Sequence, residues 1–230
     1  MLLKWKRSKA AVLKKSRKEV WGVLMSKLGD IAKRGLDVCG VICGLPVILP
    51  VLWYARRRIK QDSPGKVLFD GERLGMNGEH FKCYKMRSMY TNGDAILAEY
   101  YAQHPEEKLQ YEKFHKLDHD PRVTPFGEFI RKTSIDELPQ LWNVLVGEMS
   151  LVGPRPYLPS ELEDMGEAAQ TILQVKPGIT GYWQVNGRSG VDFENRLLMD
   201  CWYVKNRTFW MDVKLLWQTV GVVLMRKGAK

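Results

Sequence analysis

Two adjacent carboxylates, Asp136 and Glu137, carry the first chemistry this sequence could support. They follow Thr133 and Ser134, hydroxyl residues that can cap a helix. A helix starting there puts both acids in its first turn, where free backbone N–H groups and the helix dipole favour negative charge. With Arg131 close in sequence, the pair could bind a divalent cation and a phosphate together. The plainer alternative is an acidic helix face turned to water. A second constellation is Met149-Ser150-Leu151-Val152-Gly153-Pro154-Arg155-Pro156. Pro154 and Pro156 lock the backbone around Arg155 into an extended form. Arg offers a planar fork matched to phosphate, and rigid placement lowers the ordering cost of that contact. A third is Lys176-Pro177-Gly178-Ile179-Thr180-Gly181, then Trp183-Gln184-Val185 and Gly187-Arg188. Its glycines would let backbone approach a ligand closely, and Arg188 adds charge. Lys85 and Arg87 supply two further cations.

Two patterns point elsewhere. Asp118-His119-Asp120 imitates the Asp-x-Asp metal motif of nucleotide-sugar glycosyltransferases, although Pro121 after it suggests a turn. His115 and His119 have metal-binding i, i+4 spacing, but no Glu sits at the right offset, which favours a solvated helix face.

These groups need elements to hold them. Val67-Leu68-Phe69 and Phe81 to Tyr84 flank Gly75-Met76-Asn77-Gly78, a strong hairpin signal. Helical patterns run from Ala95 to Lys116, Glu128 to Val146, Glu161 to Gln174, Phe193 to Val204 and Asp212 to Met225; a loop or short strands lie between Lys176 and Gly190. The last helix is apolar on most sides, with Trp210 and Trp217 near its ends. Such tryptophans are either interfacial anchors or core.

Leu36 to Tyr54 is a strongly apolar run flanked by Lys33-Arg34 and by Arg56-Arg57-Arg58 with Lys60. It is at the short end for a span, which needs roughly 20 apolar residues. Positive charge is kept on the cytoplasmic side, so both ends belong there. Pro46 removes a helix hydrogen bond and kinks the middle, and Pro50 adds a second break. A bent helix that enters one leaflet and returns satisfies all of this; a straight span is the alternative. Ahead of it, Met1 to Ile31 reads as a basic amphipathic helix, at a headgroup surface or docked on the domain.

The net charge of +10 over 230 residues is concentrated here. Residues 1–34 hold eleven Lys/Arg against Glu19 and Asp30. A nucleic-acid-binding domain would more often spread its charge over the folded surface, so anionic membrane lipids, and no nucleic acid, are the expected partners. Cys39, Cys43, Cys83 and Cys201 fit no zinc or redox spacing, and reduced thiols are expected. No cleavable secretory signal is expected. The organisation read from these patterns is a basic segment over 1–32, a re-entrant membrane helix over 33–60 and a catalytic domain over 61–230. The fold class is α+β: a small, mostly helical catalytic domain with a β-hairpin, the re-entrant helix and interfacial amphipathic helices.

The chain resembles the monotopic polyprenyl-phosphate phosphoglycosyl transferases, the bacterial sugar transferases. The resemblance runs from about Lys33 to the C-terminus. It rests on Lys-Met-Arg-Ser-Met (85 to 89), Asp-Pro-Arg-Val-Thr-Pro (120 to 125), the Asp-Glu-Leu-Pro-Gln-Leu-Trp-Asn-Val run (136 to 144), Met-Ser-Leu-Val-Gly-Pro-Arg-Pro (149 to 156), Lys-Pro-Gly-Ile-Thr-Gly (176 to 181) and Trp-Gln-Val-Asn-Gly-Arg (183 to 188). Within the family it looks most like the undecaprenyl-phosphate galactose phosphotransferases. Several relatives carry further transmembrane helices before this region, where here only the basic segment is expected.

The resemblance implies Asp136 as a nucleophile that attacks the β-phosphate of a UDP-sugar, releases UMP and hands the sugar phosphate to undecaprenyl phosphate. It implies Mg²⁺ with Asp136 among its ligands, and Glu137 positioning the metal or assisting proton movement. Lys85, Arg87, Arg131, Arg155 with Pro154 and Pro156, Gln184 and Arg188 become substrate-binding candidates. Arg196 and Asp200 match family positions without a defined role. Leu45 stands where many members have Ser before the kink proline, so the kink rests on Pro46 alone. A UDP-releasing membrane glycosyltransferase and a non-catalytic membrane adaptor are the competing functions. The apolar C-terminal helix could pair two copies into a homodimer.

Overall fold

The computed structural model describes residues 2–107, 117, 119–187 and 191–224, with side chains from Leu28 onward up to Val222. The fold is α+β, mostly helical, with two small sheets. Helix α1 (Leu2–Asp62) is followed by a hairpin of β1 (Leu68–Leu74) and β2 (His80–Met86). These pair antiparallel from Leu68↔Met86 to Leu74↔His80 around a short turn at Met76–Gly78. Asn77 takes φ 59° there, a left-handed conformation that Asn tolerates well.

Then come α2 (Gly93–Gln103), α3 (Pro125–Lys132), a 3₁₀ turn (Ile135–Glu137) and α4 (Gln140–Val146). Helix α2 stops at His104, short of the expected Lys116; residues 108–116 lie outside the described set, and His115 and Asp118 with them. The single helix expected over Glu128 to Val146 is three pieces. Thr124 caps α3 by accepting from Gly127 N, with Pro125 at its first position, as its residue types dictate.

β3 (Ser150–Val152) pairs in parallel with β4 (Gly178–Thr180), across α5 (Leu162–Met165) and α6 (Ala168–Ile172). The helix expected over Glu161 to Gln174 is divided because Gly166 adopts φ 51°. α7 (Tyr182–Asn186), α8 (Phe193–Asn206) and α9 (Phe209–Leu224) complete the chain.

Helix α1 runs through Pro46 and Pro50 without ending. Neither proline ends the helix, and residue 32 lies within it. Leu28–Asp62 is long and apolar enough to cross a membrane. One stripe of it packs on the domain along its length. Near its start, Lys33 Nζ donates to Val152 O at 2.9 Å and pairs with buried Asp212 at 2.5 Å. Arg34 donates to the last carbonyls of α4, Val144 O (2.5 Å) and Leu145 O (2.7 Å), where such groups lack helical partners. Asp37 accepts from Ser150 Oγ and Leu151 N. Val41 joins Phe81, Cys83, Val144 and Met149 in one core cluster; Ala55 and Ile59 join Met86, Phe126 and Ile130 in another. At its end, Asp62 accepts from Phe126 N at 3.2 Å. The opposite face, with Ile42, Val47, Leu49 and Trp53, is exposed.

Candidate active site

Asp136 and Glu137 sit on the 3₁₀ turn, not in the first turn of an α-helix. Ser134 precedes them with φ 56°, and neither hydroxyl caps the turn. The turn closes through Glu137 N→Ser134 O (3.3 Å) and Leu138 N→Ile135 O (3.2 Å). A left-handed serine is an uncommon conformation, of the kind that persists where surrounding structure enforces it. Here it separates α3 from the 3₁₀ turn and leaves Asp136 on neither α3 nor α4.

Burial pushes the Asp136 carboxyl up to about 6, and the adjacent Glu137 charge adds to this; Lys85 and Arg131 oppose it. Glu137 Oε1 is held by Lys85 Nζ at 2.6 Å, from strand β2. Arg131, at the end of α3, donates from Nε to Ser88 Oγ at 2.7 Å. Lys85, Arg131, Asp136 and Glu137 therefore meet in one place, brought there by the hairpin and α3. Asn143 fixes the hairpin against α4. It is fully buried, accepts from Tyr84 N, and donates to Lys82 O (2.8 Å) and Glu148 Oε2 (2.7 Å).

Arg155 is one of the charges around Cys83, a buried thiol whose charged neighbours are also Lys85, Arg73 and Glu137. Its backbone N–H donates to Asp200 Oδ2 at 3.1 Å, and Tyr157 Oη donates to the same oxygen at 2.9 Å. Asp200 thus pins the Pro154-Arg155-Pro156 segment to α8. Burial raises its carboxyl to about 6 against these two bonds. Arg196, on α8, stacks 4.6 Å over the Trp183 ring. Asp200 and Arg196 had no role on sequence grounds; they become visible only when α8 is seen to pack beside the Pro-Arg-Pro segment.

Several expected roles change. Arg87 does not face the carboxylates: it donates to Pro64 O at 2.8 Å and to Ser63 O, tying β2 to the chain just past α1. The glycines of the Lys-Pro-Gly-Ile-Thr-Gly motif serve backbone packing, not ligand approach. A Cβ at Gly178 would meet Gly153 N at 2.1 Å, and one at Gly181 would meet Gly153 O at 2.3 Å. Gln184 Nε2 donates to Ile179 O at 3.0 Å, while its Oε1 is buried without a partner. Asp120, the second acid of Asp118-His119-Asp120, is occupied by Arg122, from Nε (2.8 Å), Nη2 (2.7 Å) and backbone N (3.0 Å). Arg188 lies outside the described residues.

A groove of about 850 Å³ opens between α1, the hairpin and α4. Leu45, Ile48, Leu52, Leu141, Trp142 and Leu145 give it apolar walls; Arg56, Lys60 and Lys66 also line it. It reaches Leu138, two residues beyond Asp136. Among the described residues no three metal-ligating side chains cluster. The donor set at Asp136 suits Mg²⁺ all the same. That ion typically binds through one or two carboxylates and substrate phosphates, not a cage of protein ligands.

The carboxylate turn and the helices around it lie within a stretch shared with the bacterial sugar transferases. Residues 28–226 match the family of that description, Bacterial sugar transferase, and the chain belongs to it. Three relatives show the range of likeness. The chain is 46% identical over 206 residues to the undecaprenyl-phosphate galactose phosphotransferase of Salmonella typhimurium, covering 90% of this chain and 43% of the relative. It is 45% identical over 197 residues to the UDP-galactose-lipid carrier transferase of Erwinia amylovora, covering 86% and 41%. It is 39% identical over 202 residues to the exopolysaccharide production protein ExoY of Sinorhizobium fredii, covering 88% and 89%. The chain spans less than half the length of the first two.

Proposed function

We propose that this protein transfers a hexose 1-phosphate from a UDP-sugar, galactose being the family-level expectation, to undecaprenyl phosphate. This would start a polysaccharide repeat unit on the cytoplasmic face of a bacterial membrane. The observation that carries the reading is Asp136: a half-buried carboxylate on an enforced turn, with Lys85 and Arg131 beside it and an apolar groove beginning two residues away.

The reaction proceeds in two displacements. An Asp136 oxygen attacks the β-phosphorus; the bond to the oxygen bridging the two phosphates breaks, and UMP leaves with that oxygen. A phosphate oxygen of the lipid then attacks the same phosphorus, forms the diphosphate and frees the carboxylate. Covalent catalysis splits one hard transfer into two easier ones. Lys85 restrains Glu137 and, with Arg131, offsets negative charge beside the nucleophile. Mg²⁺, when bound by Asp136 and the donor phosphates, supplies neutralising charge. The groove suits an isoprenyl chain, with its cationic residues suited to a phosphate.

The membrane reading rests on α1. Its start packs on β3, α4 and α9, and its end on α3, so both basic flanks lie against one domain. A helix held this way enters one leaflet and does not cross. Occupation of Asp120 by Arg122 weighs against the Asp-x-Asp glycosyltransferase alternative.

Membranes incubated with UDP-galactose, undecaprenyl phosphate and Mg²⁺ should release UMP; UDP would indicate the glycosyltransferase and no nucleotide the adaptor. Asp136→Asn should lower turnover by at least about a thousandfold, the scale of loss when a covalent nucleophile is removed, with membrane association intact. Appreciable activity in that variant sinks the nucleophile assignment.

A further inference from the structure

Three arginines border one buried cluster. Leu74, Tyr157 and Leu197 are core neighbours, and Leu74 N donates to Tyr157 O at 2.9 Å. Arg73 immediately precedes Leu74, Arg155 stands two residues before Tyr157, and Arg196 immediately precedes Leu197. The Leu74–Tyr157 bond brings the end of β1 to the Pro-Arg-Pro segment, the Arg155 N–Asp200 bond brings α8 to it, and the Arg155 charge acts on both Arg73 and Arg196. Burial is the largest cause that lowers the proton affinity of Arg73 and of Arg196, and the Arg155 charge lowers both further, against the opposing charge of Glu161.

None of the three forms an ion pair among the described residues. Nearby carboxylates are partly committed otherwise: Glu161 accepts from Leu158 N, and Asp200 accepts from Arg155 N and Tyr157 Oη through Oδ2, while its Oδ1 is buried without a partner. Buried Nε atoms of Arg155 and Arg196 are without partners, as are Trp183 Nε1 and Gln184 Oε1. Clustered like charges and unpartnered buried donors are costly unless a ligand satisfies them. The missing partner is therefore a multiply charged oxyanion with hydrogen-bond acceptors, and guanidinium forks suit phosphate.

We infer that Arg73, Arg155 and Arg196 form the seat of a nucleoside diphosphate, with Arg73 of the hairpin as a donor-binding residue that no motif marked. This rests on the transferase reading above and deepens it. The phosphate belongs to the nucleotide and not to the lipid, because the apolar groove has its own cations, Arg56, Lys60 and Lys66, and none of the three arginines lines it. Trp183 beneath Arg196 and the prolines flanking Arg155 hold two of the forks in place before the ligand arrives. Arg73, half-exposed and bonded only to Glu72 O at 2.9 Å, completes the seat from the hairpin.

The test uses the full chain in detergent micelles, with UDP, uridine and farnesyl phosphate as separate probes in titration calorimetry. Arg73→Gln should weaken UDP binding by about tenfold or more, the worth of one hydrogen bond between charged partners. Uridine and farnesyl phosphate should bind it as they bind the wild type. Arg73→Lys keeps the charge without the fork and should recover part of the UDP affinity; it also decides the matter should Arg73→Gln unfold. Unchanged UDP affinity in both variants overturns the inference, and so does a loss confined to farnesyl phosphate. Formation of the sugar-phosphate adduct on the wild-type chain, read by intact mass, tests the Asp136 reaction separately, so failure of one is not mistaken for failure of the other.

Discussion

In the proposed reaction Asp136 must be ionised to attack, and its surroundings make ionisation harder. With its carboxyl raised to about 6 by burial and by Glu137, the fraction able to react grows as pH rises through that value. At low Mg²⁺ the rate of UMP release should fall by about tenfold per pH unit below this point and level off above it. A cation bound beside the carboxylate favours its charged form, so raising Mg²⁺ should move the limb to lower pH. A rate that is flat through this range at low Mg²⁺ would contradict a free Asp136 nucleophile. The acidic pair and its nearest cations were legible in the sequence because Arg131, Asp136 and Glu137 lie within one short stretch. Arg73 and Arg196 were not, because their neighbours are brought in by tertiary packing. Arg87 turns away for the converse reason: it lies just past the end of β2, where strand alternation no longer directs its side chain toward the face that Lys85 occupies, and its guanidinium goes to the carbonyls of Ser63 and Pro64.

Elements were legible where a local signal was sufficient. The Asn-Gly hairpin, the Thr124 cap and the apolar stretch of α1 follow from residue type, as does α8. The division of the helix around Asp136 was hidden, since Ser134 is not a residue that announces a left-handed turn. The β3–β4 pair was hidden too, because three-residue strands far apart in sequence carry no period. What joins α1 to the rest is a buried ion pair: Lys33 with Asp212, whose other oxygen accepts from Tyr203 Oη at 2.7 Å. Removing one member leaves the other buried without compensation. Asp212→Asn should therefore cost about 3 kcal/mol, measured by thermal unfolding in detergent. Replacing both members, Lys33→Met with Asp212→Leu, should recover much of that loss. If the single and double variants are equally stable to the wild type, the pair does not hold α1.

At the scale of the molecule, α1 is built into the domain along one face, and the proposed single-leaflet arrangement gives a topology experiment a definite expected outcome. With the native cysteines replaced, Ala32→Cys and Gln61→Cys sit on exposed positions at the two ends of the apolar segment. Both should react with a membrane-impermeant reagent from the same side; labelling from opposite sides would refute the single-leaflet arrangement. The sequence suggested this through its basic flanks. It could not show that the apolar segment forms a wall of the groove, because that depends on α4 and the hairpin arriving from elsewhere in the chain. The groove has a kinetic meaning. An acceptor that slides in sideways from the lipid is counted per unit of membrane area, whereas the nucleotide is counted per unit of aqueous volume. On the proposed reading the two substrates arrive through separate doors from separate phases. Departing UMP need not clear a path for the lipid, and diluting the acceptor with inert lipid would starve the second displacement while leaving the first untouched.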